Sequence, residues 1–135
     1  MSGKTNLKIS VLVVAFSLAI VSSATARTIY VDDNGPADYD NIQAAIDAAV
    51  DGDEVVVAEG TYENISIDGK SITLRSTNPT NPDVVAATII DGGGREPAVY
   101  FSGGGDYPCW TLSGFTITNA GGAMAQAFDV MPPSL

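Results

Sequence analysis

The sequence predicts an all-β solenoid, a parallel β-helix of about three coils behind an N-terminal capping α-helix. Three observations carry that expectation. Past Gly52 the chain runs in strand-forming stretches of three to five residues, each cut off by Gly, Asn, Asp or Pro. No Asn-Gly pair stands between these stretches to close a hairpin. Leu112-Ser113-Gly114-Phe115 then lets Leu112 and Phe115 both point inward only if the chain bends between them, which is a coil corner.

Residues 1–26 read as a secretory signal peptide. Lys4 and Lys8 precede the mostly apolar run Ile9 to Val21, followed by Ser22-Ser23 and Ala24-Thr25-Ala26. The run has 13 residues, short of the roughly 20 that a spanning helix needs, so cleavage after Ala26 is expected and an uncleaved anchor is the competing reading. Residues 27–52 then hold a strand and the cap. Thr28-Ile29-Tyr30-Val31 alternates β-branched and aromatic residues and stops at the turn signal Asp32-Asp33-Asn34-Gly35-Pro36. A helix near 41–50 follows, with Ile42, Ala45, Ile46, Ala49 and Val50 on one face. Asp40 is placed to cap it, Gln43 stands in the capping-box position, and Asp51-Gly52 supplies the stop. Covering a solenoid's oily end suits this helix, and packing beside an α+β sheet is the alternative.

Residues 53–119 supply the coils, with strands expected at Glu54–Ala58, Asn64–Ile67, Ser71–Arg75, Thr88–Asp91, Ala98–Ser102, Trp110–Leu112 and Phe115–Thr118. Alternation points Val55, Val57, Ile65, Ile67, Ile72, Leu74, Ile89, Val99, Phe101, Leu112, Phe115 and Ile117 inward. Residues 120–135 show no such alternation, and their Gly-Gly, Met and Pro-Pro content reads as an irregular tail. The coil around Leu112–Thr118 therefore lacks a convincing cap, and fraying or self-association there is expected.

Charge and composition narrow the chemistry. The chain of 135 residues has 16 acidic and 6 basic side chains and a net charge of −10. Loss of residues 1–26 removes two lysines and leaves −12, so nucleic acid is not an expected partner. Histidine is absent, which excludes a Ser-His-Asp triad, a Cys-His pair and His-ligated zinc or haem. Cys109 is the single cysteine and has no internal disulfide partner. No cofactor is implied.

The strings Thr28-Ile29-Tyr30-Val31-Asp32-Asp33, Asp40-Asn41-Ile42-Gln43-Ala44-Ala45-Ile46, Gly52-Asp53-Glu54-Val55-Val56-Val57 and Gly60-Thr61-Tyr62 stand in that order along the chain. Lys70-Ser71-Ile72-Thr73-Leu74, Thr88-Ile89-Ile90-Asp91-Gly92 and Leu112-Ser113-Gly114-Phe115-Thr116-Ile117-Thr118-Asn119 follow them. Over residues 28–119 this resembles the start of secreted right-handed parallel β-helix proteins of the pectin-lyase-like superfamily. The resemblance implies that fold. It does not single out an activity, because the superfamily includes pectate lyases, pectin esterases, polygalacturonases, adhesins and members without known activity. It also implies that catalytic Asp, Arg and Lys lie on coils beyond this chain, making the chain an N-terminal piece.

Individual residues admit sharper roles. Asp32, Asp33, Asn34, Asp38 and Asp40 offer oxygen ligands for calcium, but without the spacing of a calcium loop, and a solvated turn is preferred. Gly60-Thr61-Tyr62-Glu63-Asn64 is similar to the Gly-x-Tyr-x-Glu motif of pectin esterases with Glu63 one place early. Gln126-Ala127 is similar to the start of their Gln-Ala-Val-Ala-Leu motif, which Phe128-Asp129 breaks. Asn119 is expected in a corner ladder of stacked amides, Cys109 and Trp110 packed at a strand start, and Arg75 and Arg95 outward. Asn64-Ile65-Ser66 is a formal glycosylation sequon.

No catalytic or metal residue is assigned from the sequence, and the substrate-binding residues stay open. The favoured expectation is a non-catalytic, secreted or cell-surface module that presents Thr73, Tyr100, Thr116 and Thr118 to a polysaccharide, a neighbouring protein or another cell-surface component. The alternative is the N-terminal part of a carbohydrate-active enzyme on polyuronate. Without calcium as a bridge, the negative charge would repel that substrate.

Overall fold

A computed structural model describes residues 25–102 and 109–121. The chain is mainly β, with short strands in parallel sheets and few helices. Its elements are β1 (Thr28–Val31), α1 (Ile42–Ala48), β2 (Glu54–Val57), β3 (Gly60–Glu63), β4 (Ile65–Asp68), β5 (Thr73–Ser76), α2 (Pro82–Ala87), β6 (Thr88–Asp91), β7 (Val99–Ser102), β8 (Thr111–Ser113) and β9 (Thr116–Thr118). The first sheet runs β1-β2-β5-β8, the second β3-β6-β9 and the third β4-β7. Every strand pairing among the described residues is parallel. From β2 onward the chain visits the sheets in the fixed order first, second, third. Parallel neighbours cannot be joined by tight hairpins: β1 reaches β2 through the acidic loop and α1, and from β2 onward each strand meets its next partner only after the intervening chain has passed through the other sheets.

Register fixes which side chains are inside. In the first sheet Ile29, Val55 and Leu74 align, as do Val31, Val57 and Ser76, and all six are buried. In the third sheet Ile65 pairs with Val99 and Ile67 with Phe101. In the second, Tyr62, Ile90 and Ile117 form the inward row. Adjacent isoleucines leave the strand phase open to periodicity alone, and the expected Ile89 is half-buried while Ile90 is fully buried. The pairing of Gly60 with Thr88 sets that phase. Ile117 departs from expectation too. It is 38% exposed because β9 is the outermost strand of its sheet.

Four further expectations are corrected. β3 is not among the expected strands, since a lone Tyr62 among Gly60, Thr61 and Glu63 gives no apolar alternation. α2 was missed although Asn81 accepts from the Asp83 N–H at 3.0 Å and Pro82 stands in its first turn. Its six residues include none that is buried, so no oily stripe announced it. α1 is capped by Asn41, not Asp40: the Asn41 Oδ1 accepts from the Ala44 N–H at 2.8 Å. Finally, Ala49 leaves the helix in extended backbone, which swings Val50 out to 57% exposure.

α1 lays Ile42, Ala45 and Ile46 on the core at the end of the stack where β1, β3 and β4 are outermost. Its C-terminal carbonyls are held by two distant cations. Lys70 Nζ donates to the Ile46 and Asp47 carbonyls at 2.7 and 2.9 Å, and Arg27 Nη2 to the Ala48 carbonyl at 3.0 Å. Positive charge at a helix C-terminus is stabilised by the partial negative charge of the unpaired carbonyls. Residues 1–24 of the expected signal peptide, and 122–135 of the expected tail, lie outside the described residues. Among the described residues no helix is long and apolar enough to cross a membrane.

Candidate functional site

The outer strands next to α1 border two adjoining clefts. One, of about 460 Å³, is lined by Gln43, Asn64, Ile65, Ser66, Glu96, Pro97 and Tyr100. The other, of about 490 Å³, is lined by Asp33, Asp40, Asn41, Gln43, Thr61, Tyr62, Glu63 and Asn64, among others. Gln43, Asn64 and Ile65 belong to both, so the two clefts adjoin at the β3–β4 corner and together make up the candidate groove.

Each wall has a local cause. β4 is the outermost strand of the third sheet and its backbone needs a partner on the α1 side. Gln43 supplies it: its Oε1 accepts from the Ser66 N–H at 2.8 Å and its Nε2 donates to the Ser66 carbonyl at 3.1 Å. The same Nε2 donates to Asp47 at 2.9 Å, which holds the amide's orientation. Tyr100 is paired with Ser66 across the sheet and is 49% exposed. Tyr62 lies under the second cleft with its hydroxyl donating to the Ala58 carbonyl at 3.0 Å. Burial, reinforced by the Asp33 carboxylate, pushes that phenol up to about 12, so it stays protonated. Gly60 brings the backbone against Asp33, where an added methyl would meet the carboxylate at 2.7 Å.

The acidic loop 32–40 forms the far wall and closes the β1 edge. Asp38 Oδ2 accepts from the Tyr30 N–H at 2.9 Å, and the Tyr30 carbonyl accepts from the Asp38 and Tyr39 N–H groups at 3.0 and 3.2 Å. Asp32 accepts from the Asn34 N–H at 2.9 Å and Asp33 from the Asn34 side chain at 2.6 Å. Asp40 accepts from Asn41 at 2.8 Å. The carboxylates considered for calcium are thus spread over separate turn and edge contacts. No group of three or more His, Cys, Asp or Glu side chains able to hold a metal ion occurs among the described residues.

The polar side chains expected to form one outer face are divided: Thr73 lies in the first sheet, Thr116 and Thr118 in the second and Tyr100 in the third. Thr116 is further tied to the Val85 carbonyl at 2.8 Å. Arg75 is held by Glu54 at 2.6 Å, a hydrogen bond that raises its pKa. Asn119 does not join a buried ladder. It is exposed at φ 49°, and its Nδ2 donates to both Asp91 oxygens at 3.1 Å. With the Gly93 N–H as the larger cause, this lowers the Asp91 pKa. Trp110 is 40% exposed and stacks on Phe101 with ring centres 3.9 Å apart, and Cys109 is exposed beside it. Gln126 and Asp129 lie outside the described residues.

Comparison with family models, curated proteins and solved structures found no match to this chain. The site therefore rests on its geometry. Among the lining residues, the sequence does not single out Glu96 and Pro97, and it marks Gln43 only as a helix-start residue. Gln43 carries a signal, but its helix-start position suggests a cap, and nothing local marks Glu96 as lining the same cleft as Asn64.

Proposed function

We propose that the chain is an exported right-handed parallel β-helix domain of the pectin-lyase-like kind, whose groove is a non-catalytic binding site for a polysaccharide. The cyclic order of strands through three parallel sheets supports the fold reading, with α1 as the cap over its N-terminal end. The observation that carries the binding reading is the pair of adjoining clefts at the β3–β4 corner, with the Gln43 and Asn64 side chains lining both and the exposed Tyr100 lining the first. An open, extended cleft suits a chain-like ligand. Amide and carboxylate groups meet sugar hydroxyls, and an exposed ring offers an apolar face to a pyranose.

Asp33, Asp40, Glu63 and Glu96 line the groove, and among the described residues no Lys or Arg does. Like charge disfavours a polyuronate, so a neutral or amine-bearing polysaccharide is the class this groove suits. Calorimetric titration of the full chain against neutral, amine-bearing and polyuronate oligosaccharides tests the reading. Binding of the first or second class, lost in Tyr100→Ala and Asn64→Ala, is expected. Turnover of any of them, or no binding across all three classes, overturns it.

A further inference from the structure

We propose that Asn34 is a site of spontaneous backbone modification, in which its side-chain amide is lost through a cyclic imide formed with the Gly35 nitrogen, and that the acid produced loosens the loop covering β1. The reaction needs only water. The Gly35 nitrogen gives up its proton to a base and attacks Asn34 Cγ. The leaving nitrogen takes up that proton, the Cγ–Nδ2 bond breaks and ammonia leaves. Water opens the five-membered ring at either carbonyl, leaving an aspartate or an isoaspartate at position 34. Amide plus water becomes acid plus ammonia, with no change in oxidation state.

The sequence and the fold single out this asparagine. Gly35 has no side chain to crowd its nitrogen, and it is the only glycine that follows an asparagine in the chain. Asn78 and Asn81 precede prolines, which have no N–H to become a nucleophile, and Asn41 and Asn64 precede β-branched isoleucines. Asn119 precedes Ala120, whose methyl crowds the nitrogen that would attack. Asn34 and Gly35 are both exposed, so water reaches the imide. A proton acceptor is also at hand: the Asp32 carboxylate accepts from the Asn34 N–H at 2.9 Å and packs so closely on Gly35 that an added methyl would collide with it.

The product breaks a contact and adds a charge. The Asn34 Nδ2 now donates to Asp33 at 2.6 Å. After hydrolysis that donor is gone and a carboxylate stands beside Asp33 instead, with one extra carbon in the backbone where the product is isoaspartate. Asp33 lies against Gly60 and lines the groove, and the same loop supplies the Asp38 and Tyr39 contacts to Tyr30. Repulsion between positions 33 and 34 therefore works against both the β1 edge cover and one wall of the groove. The chemistry does not depend on what the groove binds.

Ageing the full chain in warm neutral buffer, followed by peptide mapping and labelling with a protein isoaspartate methyltransferase, tests the site. Conversion at Asn34 at least about tenfold faster than at Asn119 is expected, with both acids present and the label lost in Asn34→Gln. Retention of the amide through an interval that converts a synthetic peptide of residues 30–38 overturns the proposal, as does a rate no faster than that at Asn119. Hydrogen exchange tests the consequence. In Asn34→Asp the Tyr30 and Asp38 amides should exchange about tenfold faster than in the unaltered chain, and Asn34→Ser should change them less. Equal exchange in Asn34→Asp and the unaltered chain, or equal loosening in Asn34→Ser, overturns the charge argument.

Discussion

The side-chain amide of Gln43 pairs with the backbone of Ser66 as a neighbouring strand would, accepting from its N–H at 2.8 Å and donating to its carbonyl at 3.1 Å. One residue of α1 thus satisfies the edge of β4, where an open ladder would otherwise invite pairing with another chain. Gln43→Ala leaves both Ser66 groups to water and should lower stability by about 1–2 kcal/mol, seen as a shift in the urea midpoint. Gln43→Glu keeps the acceptor and loses the donor. Its carboxylate then faces the Ser66 carbonyl and Asp47, so it should be no more stable than Gln43→Ala. A midpoint equal to that of the unaltered chain in both variants would show that the pairing adds nothing.

What the sequence made legible, and what it hid, follows from how local each cause is. The α1 face was readable because Ile42, Ala45, Ile46 and Ala49 recur at helical spacing and are all buried. Short strands with alternating apolar residues were readable for the same reason at β2, β4 and β5. β3 was hidden because its strand state comes from pairing with β6, a partner 28 positions away at Tyr62 and Ile90. The Gln43 role was hidden likewise, since Ser66 lies 23 residues on. Helix-start spacing gave Gln43 a plausible local role, and the long-range one took precedence.

Asp53 gives the fold an acid limit. Its side chain is buried and accepts from the Arg27 and Val50 N–H groups at 2.9 and 3.0 Å, with the Arg27 guanidinium at 3.5 Å. The Val50 and Arg27 hydrogen bonds lower its pKa below 3.8. A carboxylate with a depressed folded pKa stabilises fully above its unfolded value, and that contribution fades as pH falls from about 4 through the folded value. Thermal unfolding across that range should show the midpoint falling with pH, and Asp53→Asn should flatten the fall while lowering the midpoint at neutral pH. An unchanged acid slope in Asp53→Asn would assign the limb to other carboxylates.

Ser76 and Gly114 make a pair whose variants should move in opposite directions. The Ser76 Oγ is buried with no hydrogen-bond partner among the described residues, and Gly114, at φ 79°, passes over it and over Pro79. Removing an unsatisfied hydroxyl recovers its desolvation cost, so Ser76→Ala should be neutral or stabilise by up to about 1 kcal/mol. Gly114→Ala places a methyl against the Ser76 Oγ and 2.6 Å from the Pro79 Cα, in a left-handed backbone that side chains disfavour. It should cost about 2 kcal/mol or more. Adding Ser76→Ala should not rescue it, because the Pro79 contact and the positive φ remain. Calorimetry of the three variants checks the order.

The inward row of the second sheet sets the last expectation. Ile90 is fully buried between Tyr62 and Ile117, whereas Ile117, on the outermost strand of the same row, is 38% exposed. Burying an unpaired carboxylate is prohibitive where no water reaches it and mild where some does. Ile90→Asp should therefore prevent folding, as should Ile46→Asp beneath α1, since Ile46 is 1% exposed. Ile117→Asp keeps part of its hydration, and the loss of its apolar contacts should cost about 1–2 kcal/mol. Circular dichroism and urea unfolding separate the outcomes. An Ile117→Asp chain as unfolded as Ile90→Asp would mean that β9 is as enclosed as β6 and that its exposed face is covered in solution.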